Sequence, residues 1–451
     1  MCLKKYILIY VYNNLSAEEL EFWEQTNLAL LNKGYTLFLL MQIVPKCKVG
    51  FLYAKFTERL DDVIFPNKFA KKDKRFDFTP YLQRENIWYG SSDRDRLTAA
   101  KCQKYKYTKL IQELNPTLLV LGNGQHASDI ILKDIAIKNN TPILYIERGS
   151  LPKSWHLDSL GMTAGSEVAK KTLNELYQTN SKKYVSYSNY YLESKSTWWK
   201  QPINDNPVNI KNRFGLETDQ KLILFANQLD NDTSNFLYNP FFNSNILAFE
   251  WFCRSFIASN LDGFVLVKKH PHYKGDEHVF QNVLKKYSIT GAWVDDIALF
   301  DCIEQADLVC AVNSTMLFES LIYKKPVLQL GDSLLNNKDI VYKLESETDF
   351  KTLQSWYNKV GLEERLINYT FFMSYLIDNE LTFFFKGAKE MEFNSIDFFV
   401  QKLLKHENAS RFGNYPKKFM KLNNYKPKTN IQKQLLNIIK RGYNKIHKFI
   451  K

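Results

Sequence analysis

The sequence predicts an α/β protein of two Rossmann-like domains in tandem, each a largely parallel, doubly wound sheet, with a cleft between them. Three observations carry that expectation. Short apolar runs alternate with helix-patterned segments through the first 150 residues. A turn-rich stretch with two prolines, Gln201 to Pro207, then interrupts the pattern. Beyond it the alternation starts again.

In chain order, the first strand is expected at Lys5–Tyr12, an apolar run fit for burial on both faces. A helix pattern follows at Ala17–Asn32, then a strand at Tyr35–Val44. Pro45 to Ser92 is polar, aromatic and irregular, and is read as an insertion. Strands at Thr117–Gly122 and Pro142–Glu147 flank a helix at Ser128–Lys138. In the second half, strands are expected at Lys221–Ala226, Gly263–Lys268, Asp307–Val312 and Pro326–Leu330. Helices are expected at Ile246–Ala258, Glu277–Lys286 and Thr315–Tyr323, and residues 350–405 look helical. The expected domains are an N-terminal Rossmann-like domain over 1–205, a C-terminal Rossmann-like domain with return helices over 206–400, and a basic tail over 401–451.

The net charge of +13 is placed unevenly. Fourteen basic residues and one acid, Glu407, lie between Lys402 and Lys451, so the rest of the chain is neutral. A nucleic-acid enzyme carries its basic stripe across the folded body, so nucleic acid is not the expected partner. No run approaches the roughly 18–20 apolar residues that span a bilayer. The first apolar run is too short for a signal sequence and is followed by Asn13-Asn14, which points to a cytoplasmic protein. The six cysteines show no CxxC spacing, as expected of reduced, mostly buried thiols.

Four clusters fall just after expected strands, where open α/β sheets bind ligands. Lys268-Lys269-His270-Pro271-His272 offers two cations and two imidazoles to a phosphate or carboxylate, or is a solvated loop. Asn313-Ser314-Thr315 precedes a helix, either as a plain N-cap or as an anion site, with Glu319 one turn on. Gln228-Leu229-Asp230-Asn231-Asp232-Thr233-Ser234 holds carboxylates suited to nucleophile or base work, although Asx turns look the same. Glu147-Arg148-Gly149-Ser150-Leu151-Pro152, with Asp158 and Gly161 downstream, is either a structural ion pair or part of a site. The Gly122-Asn123-Gly124 turn would face the same cleft. No HExxH or Walker lysine loop occurs, and no metal or cofactor is expected.

In their order, these clusters resemble the capsule-polysaccharide synthesis family of bacterial Kdo transferases. The resemblance rests on Glu147, Gly149, Leu151, Pro152, Asp158 and Gly161 (E-x-G-x-L-P…D-x-x-G) and on Gln228, Asp232 and Thr233 (Q-x-x-x-D-[ST]). It rests further on Lys268, His270 and Pro271 (K-x-H-P) and on Asn313, Ser314, Thr315, Glu319, Ser320, Leu321, Lys325, Pro326 and Val327 (N-S-T…E-[AS]-L…K-P-V). It spans roughly residues 115–335.

The resemblance implies a GT-B fold, a CMP-Kdo donor used as substrate, and transfer with retention to give a β-linkage. By carry-over, His270 and the Ser314/Thr315 helix start hold the CMP phosphate, Lys268 lies against donor anions, and Glu319 binds the ribose. Asp232 is the expected nucleophile, with Asp230 as the alternative. Gln228 would orient the nucleophile or the sugar, and Asn123 and Gly124 would lie on the acceptor side. Glu147 or Asp158 is the expected base, and Arg148 could pair the sugar carboxylate. Related readings are a sialyl or other nonulosonic-acid transferase and a CDP-polyol phosphotransferase. A basic scaffold is the non-enzymatic alternative.

On a helical wheel, Thr429–Lys451 places eight apolar residues, from Ile431 to Ile450, within an arc of about 140°, with lysines and Arg441 opposite. That pattern fits a helix lying on an anionic membrane surface, or one docked on the body. The expected setting is the inner face of the bacterial inner membrane, where a lipid-linked glycan acceptor (capsule linker or O-antigen) would be.

Overall fold

The computed structural model describes residues 5–11, 15–41, 50–55, 93–176, 182–195, 202, 207–385, 388, 393 and 395–408. The chain begins with β1 (Lys5–Val11), buried from Ile7 onward, and α1 (Ala17–Leu31). A capping box starts α1: Ser16 Oγ accepts the Glu19 N–H at 3.2 Å, and the Glu19 carboxylate accepts the Ser16 N–H at 2.8 Å. The strands β2 (Tyr35–Met41), β3 (Leu52–Lys55), β4 (Leu118–Leu121) and β5 (Ile143–Arg148) pair parallel with β1 and with one another. Between them lie α2 (Asp93–Leu114) and α3 (Ala127–Lys138). β6 (Ser154–Asp158) then doubles back antiparallel on β5.

Short α4 (Glu167–Lys170), α5 (Lys182–Ser194) and α6 (Ile210–Phe214) lead into the second sheet. Its elements are β7 (Leu222–Ala226), α7 (Thr233–Leu237), α8 (Asn245–Ala258), β8 (Phe264–Lys268), α9 (His278–Lys286), β9 (Gly291–Val294) and α10 (Leu299–Gln305). They continue through β10 (Leu308–Ala311), α11 (Met316–Ile322), β11 (Val327–Gln329), β12 (Tyr342–Lys343) and α12 (Phe350–Tyr357). This sheet is wholly parallel, in the order β12-β11-β10-β7-β8-β9. β7 and β8 are buried along their whole length, as a central strand covered by helices on both faces must be.

The chain then returns to the first sheet. After α13 (Leu362–Asn379), β13 (Leu381–Phe383) pairs antiparallel with β6, giving the order β13-β6-β5-β4-β1-β2-β3. α14 (Ile396–Asn408) closes over α1, with the Phe399 ring 5.1 Å from Phe22 and 5.8 Å from Trp23. Tyr35 donates to the Glu407 carboxylate at the same seam. Two α/β domains thus face each other in the GT-B manner. One strap joining them is Lys338, 2% exposed, which follows β11. Its ammonium donates to the carbonyls of Asn336 at 2.7 Å, Lys171 at 3.0 Å and Ala169 at 3.5 Å.

The expected strands and helices appear within a few residues of their limits. Three features differ. The irregular stretch from Pro45 contains β3, which extends the sheet edge beside β2. β6 was not anticipated, because Ser154, His156 and Asp158 break its apolar run although all are buried. The helical reading of 350–405 is interrupted by β13, and the segment 381–408 belongs to the first sheet and its helical cover, so position 400 falls inside α14. The four described cysteines, Cys102, Cys253, Cys302 and Cys310, are buried free thiols. Among the described residues no helix is long and apolar enough to cross a membrane. Residues 409–451, with the amphipathic stretch 429–451, lie outside the described residues.

Candidate active site

A cleft of about 490 Å³ opens at the carboxyl ends of the strands of both sheets. The loops after β4 and β5 line one wall, and those after β7, β8 and β10 line the other. Gln228, Asp232, Lys268, His270, Pro271, Asn313, Ser314, Thr315, Glu319, Glu147, Arg148 and Asn123 all line it. Asp230, Asp158 and Gly124 do not.

On the second-domain wall, Gln228 acts as a clamp. Its Oε1 accepts the backbone N–H groups of Val312 and Asn313, both at 3.0 Å, and its Nε2 donates to Asn313 Oδ1 at 3.0 Å. Asn313 Nδ2 in turn donates to the Ser234 carbonyl at 2.9 Å. Both amides tie the loop after β10 to α7 while still lining the cleft. Asp232 is the N-cap of α7, its Oδ1 accepting the Ser234 N–H at 2.8 Å. Asp232 is solvent-exposed at the cleft, and the protein groups around its carboxylate raise its pKa by desolvation against the pull of the Ser234 and Asn235 N–H groups. Asp230 instead accepts the Asn245 N–H at 2.5 Å, fastening the start of α8.

The loop after β8 brings a donor group to the same wall. Lys268 is 4% exposed, its ammonium reaches the Asp295 carbonyl at 3.4 Å, and burial lowers its pKa. His270 Nδ1 accepts the His272 N–H at 3.1 Å, so the neutral ring carries its proton on Nε2. Burial, with the neighbouring His272, pushes His270 down to about 4, which keeps it neutral. Pro271 sits in the turn that the Tyr273 N–H closes on the His270 carbonyl at 2.9 Å. At the start of α11 the N-cap residue Thr315 makes no side-chain cap. Ser314 Oγ accepts the Met316 N–H at 3.2 Å instead, leaving Thr315 exposed to the cleft. Glu319 is buried on α11, and desolvation pushes it up to about 7, with Tyr191 pulling the other way.

On the first-domain wall, Glu147 ends β5. Burial and the Asp232 charge push it up to about 8, while the Asn123 amide and Arg148 pull it down. Arg148 pairs with the buried Glu19, its Nη2 3.3 Å from Oε1. The guanidinium expected on a substrate carboxylate is therefore engaged within the protein. Gly149 is required by space: a Cβ there would lie 2.2 Å from Ser154 Oγ and 2.8 Å from Leu381. Asp158 accepts the N–H groups of Leu160, Glu167 and Gly161 at 2.7, 2.9 and 3.1 Å, which folds its own loop outside the cleft lining. Gly124 donates its N–H to Asp129 at 3.0 Å.

Several cleft residues carry no sequence signal. Asn227 is 3% exposed, its Oδ1 accepts the His270 N–H at 3.4 Å, and its Nδ2 has no partner among the described residues. Trp23 and Trp155 also line the cleft, although one lies on a helix and the other on a strand that reads as polar. Among the described residues no three His, Cys, Asp or Glu side chains gather as a metal site.

The chain covers 73% of its length on a KpsC β-Kdo 2,7 transferase of Thermosulfurimonas dismutans and 97% of that chain, at 16% identity and a TM-score of 0.40. A KpsC β-Kdo 2,4 transferase of the same organism matches over 64% of this chain and 87% of that one, at 15% identity and a TM-score of 0.40. A glycosyltransferase of Rickettsia africae covers 93% and 100% of the two chains, at 11% identity and a TM-score of 0.38. No curated protein matches the chain. A family model described as capsule polysaccharide biosynthesis protein matches residues 147–372, just over half of the chain. That span opens on Glu147 and contains every one of the four motifs and both walls' carboxylates, and by it the chain belongs to the capsule polysaccharide biosynthesis protein family.

Proposed function

We propose that this protein is a glycosyltransferase that moves Kdo from CMP-Kdo, with retention, to a lipid-linked bacterial surface glycan. The observation that carries the reading is the pair of carboxylates, Glu147 and Asp232, set on opposite walls of one cleft and close enough for one to perturb the other. Retention by double displacement needs a nucleophile and a base with different pKa values, and this pair supplies both.

In the first step an Asp232 oxygen attacks the anomeric carbon, and the bond to the phosphate oxygen breaks with its electron pair leaving on CMP. Negative charge grows on that phosphate as the bond lengthens. The Lys268 ammonium and the His270 Nε2–H, on the same wall, answer that charge more strongly in the transition state than in the ground state. Thr315 at the mouth of α11 adds a hydroxyl, and Glu319 is placed for the ribose hydroxyls. In the second step an acceptor hydroxyl attacks the anomeric carbon from the face CMP vacated, opposite the Asp232 ester, whose bond to the sugar breaks with its electron pair returning to the carboxylate. The hydroxyl proton passes to the Glu147 carboxylate. Gln228 and Asn313 hold the two loops in register throughout.

The Kdo assignment is supported by the order of the four motifs, and the membrane setting by the periodicity of 429–451. Purified protein incubated with CMP-Kdo, CMP-sialic acid and CDP-polyols, with capsule-linker and O-antigen acceptors, should release CMP from CMP-Kdo alone. Turnover of another donor with none of CMP-Kdo would overturn the donor assignment.

A further inference from the structure

The first-domain wall holds a histidine that neither the four motifs nor the proposed chemistry uses. His126 lines the cleft, half-buried, at the N-cap of α3. Its carbonyl accepts the Ile130 N–H at 3.1 Å, but its side chain makes no cap, unlike the residues usually found at that position. The ring meets Asn123 instead, whose Nδ2 lies 3.3 Å from His126 Nε2. Asn123 and Glu147 line the same cleft.

The turn between β4 and α3 fixes that contact. Gly124 has a φ of +74°, and a Cβ on it would lie 2.2 Å from the Tyr145 ring, so only glycine fits. Its N–H is held by the Asp129 carboxylate at 3.0 Å. The Gln125 N–H donates to Asn123 Oδ1 at 3.0 Å. A backbone N–H can only donate, so the atom it meets is the amide oxygen, and the other end of the amide is the NH2. That NH2 has two protons. One faces His126 Nε2, which accepts it, so the imidazole is neutral and carries its proton on Nδ1. The other serves the Glu147 carboxylate, whose charged form the Asn123 amide favours by hydrogen bonding.

From this geometry we infer that His126 is a positioning residue for Glu147: by accepting one Asn123 N–H it aims the other at the carboxylate that takes the acceptor proton. The role rests on the glycosyltransferase reading, whereas the chain from His126 through Asn123 to Glu147 belongs to the wall itself. Without the imidazole the amide is free to turn, and Glu147 loses a donor that favours its charged form. A glutamine at the same position brings Oε1 close to where Nε2 stood and accepts the same N–H.

The test uses the full-length protein labelled with 13C at its glutamate carboxyls, the Glu147 signal assigned through Glu147→Gln. In His126→Ala the Glu147 midpoint should rise above its native value of about 8 by roughly half a pH unit or more, the scale of one hydrogen bond. His126→Gln should bring most of it back. Transfer to the acceptor should follow, with kcat about fivefold lower in His126→Ala, close to native in His126→Gln, and CMP-sugar affinity unchanged in both. Folded variants are recognised by the unchanged signals of the remaining glutamates. A Glu147 midpoint that stays native in His126→Ala, or that His126→Gln displaces as far as His126→Ala does, would overturn the inference and leave the glycosyltransferase reading standing. Midpoints that move as expected in a protein that turns over no CMP-sugar would keep the positioning role of His126 and refute the proposed function instead.

Discussion

Glu147, at the end of β5, and Asp232, at the cap of α7, face each other across the cleft, and the charge of Asp232 raises the pKa of Glu147. The effect runs one way. The carboxyl that ionises first sets the field in which the second titrates, and Glu147, pushed up to about 8, is the second. A carboxylate nucleophile on one wall and a base pushed up to about 8 on the other are the two groups the proposed chemistry needs.

Glu147 must be unprotonated to take the acceptor proton. A 13C-carboxyl titration of the free enzyme should place Glu147 near 8, the value set there by burial and the Asp232 charge. Asp232→Asn should lower the Glu147 pKa, which a 13C-carboxyl titration reads directly. The same raised pKa predicts a stability effect: between the unfolded value near 4.5 and about 8 the folded state binds the extra proton, so the Glu147 contribution falls as pH rises through that window. Glu147→Gln should remove that part of the slope in urea unfolding.

His270 is held neutral, its Nδ1 occupied by the His272 N–H. A phosphodiester donor has no group of its own titrating near neutrality, so in Glu319→Gln, which removes the ribose-side carboxyl pushed up to about 7, CMP-sugar affinity should stay flat from pH 5.5 to 7. Calorimetry that finds an inflection near the ordinary histidine pKa of about 6.5 would mean that an imidazolium binds the donor. His270→Ala should weaken CMP-sugar binding about tenfold or more, the scale of one charge-assisted hydrogen bond. Asn227→Ala, which removes the unpartnered Nδ2 beside it, should weaken binding less.

Gln228→Ala deletes three hydrogen bonds at 3.0 Å that fasten the loop after β10. It should cost roughly 2–4 kcal/mol of stability, at about 1 kcal/mol each with an added penalty for the stranded N–H groups. Gln228→Glu keeps the acceptor for Val312 and Asn313 but sets a second oxygen against Asn313 Oδ1, and should be stable yet slow. Denaturant midpoints with steady-state rates separate the two cases.

Lys338 bridges the domains with its ammonium caged by carbonyls, and burial lowers its pKa from 10.5 to about 7. Between those values the unfolded chain binds more protons, so the Lys338 contribution to stability rises as pH climbs from about 7 toward 10.5, and its burial penalty is full below 7. Urea unfolding at pH 6.5 and 9 should show a larger gain in the native protein than in Lys338→Met. Equal gains would remove Lys338 from the interdomain energetics.

Much of the frame was legible because a parallel sheet writes itself as apolar runs: β1, β5, β7, β8 and β10 stand out without help. β6 and β13 did not, since an antiparallel pair that seals a sheet edge buries Ser154, His156 and Thr382 by tertiary context alone. At the site, motif order pointed to Glu147, Asp232, Lys268 and His270, all of which line the cleft. It could not separate ligand contacts from braces. Gln228, Asn313, Asp230 and Asp158 stand in those motifs, and the hydrogen bonds they make to backbone or to one another depend on contacts between distant loops that the sequence does not write. Asn227 carries no signal in the sequence, and the fold turns it toward the cleft.

The most direct test of the account is the mass of the enzyme itself. The first step needs no proton from Glu147, because CMP leaves as an anion, whereas the second step needs its carboxylate. Glu147→Gln mixed with CMP-Kdo should therefore accumulate protein heavier by one anhydro-Kdo residue, with the label on the peptide carrying Asp232 and none on Asp232→Asn. Donor turnover with an inverted product linkage and no adduct on either Glu147→Gln or the native enzyme would contradict the account.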